Sequence, residues 1–145
     1  MIDFDQPAFL RYNHLYDHFK EGLLPLVEEF WYNYHSAETR QWYTDHIDEL
    51  KESQPDAYEA NLALESILGL PVAQTMAVSM LPDHATFCTS IVARNRLGEI
   101  SHVRNLDFQY AKLMQALIYE AILVKDGSER ARAPLIAGFY GVFTG

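Results

Sequence analysis

Apolar side chains recur at spacings of three and four residues along the first part of the chain, which is the pattern of amphipathic helices. This pattern predicts a helix over residues 15–34, with Leu23 and Val27 on its apolar face. Ser36 is a suitable N-cap for a second helix, whose apolar residues include Tyr43 and Leu50. Both segments therefore indicate helix.

Two further helices are predicted before residue 80. The third follows Pro55, with Asp56 and Glu59 as a capping pattern, and continues through Leu68 to Gly69, which ends it. The fourth is short and begins at Pro71, since proline is favoured in the first turn of a helix. The first 87 residues are therefore predicted to be mostly helical.

The pattern changes after His84. Residues 88–93 are rich in β-branched side chains, and residues 100–106 alternate between apolar and polar side chains. Gly98 marks a turn between the two runs, so they predict a β-hairpin.

Two more strands are predicted near the end of the chain. Residues 117–124 form one strand and residues 131–140 the other, joined by a turn at 125–128. A helix across residues 111–124 is the alternative, because Ala, Lys, Leu, Met and Gln in that segment favour helix. Helices followed by strands predict the α+β class.

Composition and charge narrow the classes of function. Hydrophobic residues make up 49% of the chain, which is typical of a globular protein. The net charge of -9 argues against a nucleic-acid partner, because phosphate binding needs clustered Lys and Arg. Residues 1–87 carry four basic and 15 acidic side chains, whereas residues 88–145 carry seven basic and five acidic ones. The composition therefore divides the chain at Cys88.

Cys88 opens a run of residues that points to a specific chemistry. Residues 88–93 read Cys-Thr-Ser-Ile-Val-Ala, residues 104–108 read Arg-Asn-Leu-Asp-Phe, and residues 137–145 are punctuated by glycines. Together with Gly98 between the first two runs, these segments resemble the start of the β-subunit in the acid ceramidase and N-acylethanolamine acid amidase family. The spacing of Cys, Arg and Asp is also similar to that of the wider group with penicillin V acylase and bile salt hydrolase.

The resemblance implies an N-terminal-nucleophile amidase that cuts its own chain at Phe87–Cys88. Residues 1–87 are then a helical α-subunit-like region on the propeptide side, and residues 88–145 are the start of the catalytic β-subunit. In this family two β-sheets stack between helical layers. The predicted four strands are too few for both sheets, so the fold is expected to be incomplete and the chain to be a fragment.

The same resemblance implies the site residues, the substrate and the setting. Cys88 is the nucleophile, Asp107 orients its amine and thiol, and Arg104 favours the thiolate or polarises the substrate carbonyl. The expected substrate is an N-acyl lipid, either an N-acylethanolamine or a ceramide, and no cofactor or metal is required. The expected product is an α/β heterodimer in the lysosome, although the first ten residues contain no signal-peptide pattern.

Residues 104 and 107 differ by an odd number, so a regular strand sends them to opposite faces. A bend or bulge near Asn105 or Leu106 is expected to let both converge on Cys88. The alternative is a surface ion pair between Arg104 and Asp107 without a catalytic role.

Three other groups of residues are weaker candidates. His14 and His18 lie four apart on a predicted helix, and solvated histidines are favoured there over a metal site. Asp83 and His84 combine with Ser90 as a possible triad, which only a structure can test. The aromatic residues of 30–34 favour a core position over a lipid-facing patch, which would allow contact with a membrane surface.

An unmatched oxyanion donor leaves two other functions open for this chain. The chain resembles the family only in part, because the family's oxyanion-stabilising Asn lies further downstream and has no counterpart here. We therefore expect the chain alone to be poorly active or inactive, since loss of one such donor costs about 10²–10³-fold in kcat. The alternatives are a catalytically inactive interaction module and an acylase of the penicillin or bile-salt type.

Overall fold

The computed structural model describes residues 1–79, 87–107 and 111–140, with residues 87–89, 104–107 and 111 described by their backbone alone. Helices make up most of the described chain before residue 80, and strands make up most of it after residue 86, which confirms the α+β class. The helices are α1 Ala8–Arg11, α2 Asn13–Glu29, a π-helix at Phe30–Tyr34, α3 Ala37–Asp45, α4 Ile47–Ser53, α5 Pro55–Leu68, α6 Val72–Ser79 and α7 Ala111–Gln115. The strands are β1 Ile2–Asp3, β2 Phe87–Arg94, β3 Ile100–Asp107, β4 Ile118–Lys125 and β5 Ser128–Ile136.

The predicted helices are present, and their ends have the expected causes. The helix predicted over 15–34 corresponds to α2 and the π-helix that continues it. Ser36 caps α3, because its hydroxyl accepts a hydrogen bond from the backbone N–H of Thr39 at 3.1 Å. Gly69 ends α5 in the left-handed conformation, with φ 71°. The second helix is divided at His46, where α3 ends and α4 begins.

The capping pattern predicted at the start of α5 is wrong. Gln54 occupies the N-cap and makes no side-chain cap bond, while Pro55 stands in the first turn. Asp56 instead pairs with Arg11, whose guanidinium lies 3.5 Å from the carboxylate. The Arg11 side chain is buried and also donates to the carbonyl of Gln6, so it joins the N-terminal segment to α5. Asp56 therefore contacts a residue distant in sequence and does not cap its own helix.

The two strands predicted near the end of the chain are β4 and β5, with a tight turn that contains Asp126 and Gly127 at positive φ. The alternative of a helix across residues 111–124 is right only for its beginning, because α7 ends at Gln115. β4 then starts at Ile118, where β-branched and aromatic residues follow. β5 ends at Ile136, before the predicted end of that strand at 140.

The described strands form two sheets. β1, β4 and β5 form one sheet in the order β1-β4-β5, in which β1 is parallel to β4 and β5 is antiparallel to it. β2 and β3 form a separate antiparallel hairpin. The first sheet therefore combines a strand from the start of the chain with two strands from its end.

One hydrophobic core joins the helical part of the chain to the β4–β5 hairpin. It contains Leu23, Leu26 and Phe30 from the first part, together with Leu117 and Leu135 from the second part, all of them buried. Two glycines permit this close contact. A Cβ on Gly22 would lie 2.9 Å from Cδ2 of Leu117, and one on Gly138 would lie 2.7 Å from Cδ2 of Leu23. Charge therefore changes at Cys88, but the segments before and after Cys88 share one hydrophobic core.

Tyrosines in this core predict alkaline unfolding. Burial raises the pKa of Tyr16, and burial also raises the pKa values of Tyr12 and Tyr119 above 10.0. Above about pH 10 the unfolded chain loses these protons and the folded chain keeps them. These tyrosines therefore leave the free energy of unfolding at its full value below pH 10. Above that value, each such tyrosine lowers the free energy of unfolding by up to about 1.4 kcal/mol per pH unit.

We expect Tyr16→Phe to move the alkaline unfolding midpoint to higher pH, because the buried position no longer titrates. Urea unfolding across a pH series measures this effect, and Tyr32→Phe is the control, since Tyr32 is 62% exposed. Tyrosinate absorbance from Tyr16 near pH 10 in the folded protein would contradict the prediction.

Candidate active site

The pairing of β2 with β3 fixes the backbone positions of the candidate site residues. Cys88 pairs with Leu106, and Phe87, the residue before the predicted cleavage site, pairs with Asp107 at the end of the ladder. Arg104 pairs with Ser90, two positions after Cys88. The three residues that the sequence nominated, Cys88, Arg104 and Asp107, are therefore brought to one end of one hairpin.

These positions fall on two faces of the hairpin. Alternation assigns every second position of a strand to the same face, and paired positions share a face. Cys88, Ser90 and Arg104 thus occupy one face, and Phe87 and Asp107 occupy the other. The peptide bond between Phe87 and Cys88 lies where the two faces meet.

The bulge expected near Asn105 or Leu106 is absent from the described ladder. Pairing continues without a shift from Phe87 opposite Asp107 to Arg94 opposite Ile100. The side chains of 87–89 and 104–107 lie outside the described residues. The convergence of these side chains, and the alternative of a surface ion pair between residues 104 and 107, therefore stay predictions.

The turn between the strands holds this register. The side-chain carbonyl of Asn95 accepts hydrogen bonds from the backbone N–H groups of Leu97 at 2.9 Å and Glu99 at 3.0 Å. Its backbone N–H donates to the carbonyl of Glu99 at 2.9 Å, and Gly98 supplies a φ of 87°. Because loop length and turn geometry set the register of a hairpin, these contacts also set which residue lies opposite Cys88.

A hydrogen bond joins two described side chains on the Cys88 face. The hydroxyl of Ser90 lies 2.6 Å from Nε2 of His102, and either atom can be the donor, depending on the tautomer. His102 pairs with Val92, so the contact is diagonal across the ladder. His102 was not a candidate from its spacing alone. Alternation in the predicted hairpin is the signal that would have found it.

The other candidates have different outcomes. Asp83 and His84, the proposed partners of Ser90, lie outside the described residues. No described group of three or more metal-binding side chains includes His14 or His18, and burial lowers the pKa of His14.

Among the aromatic residues of 30–34, Phe30 is 1% exposed and belongs to the core, whereas Tyr32 is 62% exposed. The predicted core position is therefore right for Phe30 and wrong for Tyr32. No helix in the described part of the chain combines the length and the apolar composition that would let it cross a bilayer.

Comparison with known proteins gives one consistent relationship, although no family model matches the chain. The N-acylethanolamine-hydrolyzing acid amidase of Caenorhabditis elegans is 30% identical, over 99% of this chain and 43% of that protein. The proteins of the same name from Rattus norvegicus and Oryctolagus cuniculus are 31% and 32% identical, over 72% and 54% of this chain. These matches cover 30% and 22% of those two proteins, so the chain spans less than half the length of each relative. Because the longest match includes both the helices and the candidate hairpin, the chain belongs to the N-acylethanolamine-hydrolyzing acid amidase family.

Proposed function

We propose that this chain carries the nucleophile of an N-terminal cysteine amidase, which cuts itself at Phe87–Cys88 and then hydrolyses the amide bond of N-acyl lipids. The unbroken pairing of β2 with β3 is the observation that carries the proposal. Paired residues of an antiparallel ladder have Cα atoms about 4.5–5.5 Å apart. Asp107 is therefore a close neighbour of Phe87, whose carbonyl is the one attacked.

The chemistry needs one residue in two roles. The thiol of Cys88 attacks the carbonyl carbon of Phe87, the peptide C–N bond breaks, and water hydrolyses the resulting thioester. The products are a chain that ends at Phe87 and a chain that begins at Cys88. The new α-amine, with an ordinary pKa of about 7.7–8.0, can then accept the proton of its own thiol during substrate hydrolysis. The nucleophile and the base are thus supplied by Cys88.

Asp107 and Arg104 serve this nucleophile in the proposed mechanism. The carboxylate of Asp107 orients the amine and thiol of Cys88, and the guanidinium of Arg104 favours the thiolate or polarises the substrate carbonyl. The register supports a division of labour, because Asp107 is opposite Phe87 and Arg104 is opposite Ser90. Asp107 then acts on the main-chain nitrogen of Cys88 from the face of Phe87. Its contact with the thiol, which lies on the other face, requires the strand end to rearrange once the Phe87–Cys88 bond is cut.

Contacts across the chain support a stable α/β heterodimer after cleavage. β1 pairs with β4, and the N–H of Phe4 donates to the carbonyl of Val124 at 2.9 Å. The carboxylate of Asp5 accepts a hydrogen bond from the N–H of Gly127 at 3.2 Å. Because the core is also shared, the two cleavage products would remain bound to each other without a covalent link.

The printed names of the relatives guide the proposed substrate and compartment. They are called N-acylethanolamine-hydrolyzing acid amidases, which favours an N-acylethanolamine over a ceramide for this chain. An enzyme that works in acid suits the lysosome. Residues 88–145 then form the start of the catalytic β-subunit in an N-terminal-nucleophile fold, and residues 1–87 form the α-subunit.

Contact with a membrane surface belongs to the same proposal. On the helical part of the chain, Tyr32 and Trp42 are 62% and 45% exposed. Trp42 also lines a pocket of about 350 Å³ with Glu38, Thr39 and Tyr43. Exposed Trp and Tyr suit a lipid interface, because each has an apolar ring and a polar group.

The test is the mass and activity of the full-length protein before and after exposure to acid. We expect two chains, one of which has Cys88 as its N-terminal residue by sequencing. We then expect fatty acid release from an N-acylethanolamine, measured beside ceramide, penicillin V and a conjugated bile acid. Faster hydrolysis of penicillin V or the bile acid would favour the other acylase. A single chain without hydrolysis would favour the inactive interaction module.

A further inference from the structure

The first chemical step of self-cleavage lacks the base that the mature enzyme has. Before the Phe87–Cys88 bond breaks, the nitrogen of Cys88 is a peptide N–H, which is a donor without a basic lone pair. An ordinary thiol has a pKa of about 8.5, so it is mostly protonated near neutral pH. Another group must therefore take the thiol proton in the uncleaved chain.

Ser90 and His102 are positioned to take it. The 2.6 Å hydrogen bond between the Ser90 hydroxyl and His102 Nε2 lies on the face of the hairpin that also contains position 88. Positions 88 and 90 are two residues apart on one strand, a distance of about 6.6–6.8 Å. A bridging water can link two polar groups that are too far apart for a direct hydrogen bond.

The other groups of the hairpin are less suitable. Arg104 shares this face, but a guanidinium stays protonated and cannot accept a proton. Asp107 occupies the opposite face, across from Phe87. Among the side chains described between residues 90 and 103, Glu99 is the one carboxylate, and it is held at the far turn by Asn95 Nδ2 at 2.6 Å.

We propose that Ser90 and His102 form the proton-transfer pair that activates Cys88 for self-cleavage, an inference that rests on the function proposed above. The Cys88 thiol gives its proton, by way of a bridging water and the Ser90 hydroxyl, to Nε2 of His102. The thiolate then forms an S–C bond to the carbonyl carbon of Phe87. The peptide bond between that carbon and the nitrogen of Cys88 breaks. The leaving nitrogen takes the proton back from His102, and one water later hydrolyses the thioester.

This pair is needed only before cleavage, because the new α-amine is itself a base. His102 acts through Ser90, so it is a positioning residue for the hydroxyl as well as a proton acceptor. The two roles give different results in an experiment, since an imidazole from solution can replace a missing base but cannot replace a structural contact.

The test follows the rate at which the Cys88 N-terminus is formed in the full-length protein, under conditions in which the wild type cleaves. We expect Ser90→Ala and His102→Ala to slow cleavage by about 10²-fold or more, the usual size of an acid–base contribution. Ser90→Thr, which keeps the hydroxyl, should retain most of the rate. Added imidazole should restore part of the rate of His102→Ala.

Ser101→Ala is the matched control. Ser101 is an exposed serine of the same hairpin and pairs with Ala93, which puts it on the opposite face from Ser90. We expect this variant to cleave at the wild-type rate. Circular dichroism checks each fold, and Ser90→Ala alone carries the test if His102→Ala unfolds.

The outcomes separate this inference from the proposed function. If the wild type cleaves, Cys88→Ala does not, and Ser90→Ala and His102→Ala both match the wild-type rate, the inference is overturned and the proposed function stands. Equal slowing by Ser101→Ala, or no rescue by imidazole, would also overturn it by indicating a structural effect. A wild type that never cleaves would overturn both proposals.

Discussion

Cys88→Ala is expected to remain a single uncleaved chain and to show no measurable amide hydrolysis. In the proposed mechanism the Sγ atom of Cys88 attacks first the Phe87 carbonyl and later the substrate, so its removal abolishes both reactions. Removal of a catalytic nucleophile costs on the order of 10⁶-fold in kcat, which brings activity below detection. Intact mass after acid exposure measures the cleavage, and release of fatty acid from an N-acylethanolamine measures the activity.

Cys88→Ser is the informative companion, because it keeps a nucleophilic atom of weaker reactivity. We expect slow cleavage and a strongly reduced hydrolysis rate, since a hydroxyl is far less acidic than a thiol. Cys88 is the only cysteine of the chain, so labelling with a thiol reagent reports this residue alone. Cleavage of Cys88→Ala at the wild-type rate would remove residue 88 from the mechanism.

Local signals were enough to predict most of the helical segments between residues 15 and 79, because helix ends depend on residues close in sequence. The cap at Ser36 and the left-handed Gly69 both satisfy or end a helix through neighbours within a few positions. The hairpin was equally accessible, since a glycine turn separates two runs with a strand pattern. For these elements the sequence and the structure agree.

Contacts between distant residues were not predictable from local pattern. Asp56 has the sequence context of a cap, yet it pairs with Arg11 across 45 positions. β1 contains only Ile2 and Asp3, too short for a periodic signal, and it exists because β4 offers it a pairing edge. The end of α7 was also not predictable from local pattern, because residues that favour helix are followed closely by those of β4.

The candidate site also has features that the sequence predicts and features that it does not. Resemblance nominated Cys88, Arg104 and Asp107, and pairing brings their backbone positions to one end of the hairpin. The expected bulge rests only on the odd spacing of residues 104 and 107, whereas the ladder between β2 and β3 pairs without a shift. The Ser90–His102 hydrogen bond depends on that register. Alternation in the hairpin indicates that the two residues share a face, and only the paired strands give the distance between them.

Gly138→Ala is expected to lower the free energy of unfolding by about 2–4 kcal/mol, a larger loss than at Gly127 or Gly22. Gly138 has a φ of 87°, and a Cβ there would lie 2.7 Å from Cδ2 of Leu23. The left-handed backbone costs roughly 1–2 kcal/mol for a residue with a Cβ. Displacing Leu23, which is 0% exposed, adds about 1–3 kcal/mol, and a stiffer unfolded chain offsets part of the sum.

Two other glycines separate these contributions. Gly127 has a φ of 65° and nothing within 4 Å of an added Cβ, so Gly127→Ala should lose only the backbone contribution of about 1–2 kcal/mol. Gly22 lies within α2, where a Cβ would be 2.9 Å from Leu117 Cδ2, so Gly22→Ala tests the contact without the strain. Alanine there also gains about 1 kcal/mol of helix propensity, which leaves a net loss of about 0–2 kcal/mol. Urea unfolding of the uncleaved Cys88→Ala background measures all three. A loss in Gly138→Ala no greater than in Gly127→Ala would show that Leu23 and the segment after β5 are not packed tightly. The contact between the chain segments before and after the proposed cleavage site would then be weaker than the shared core requires.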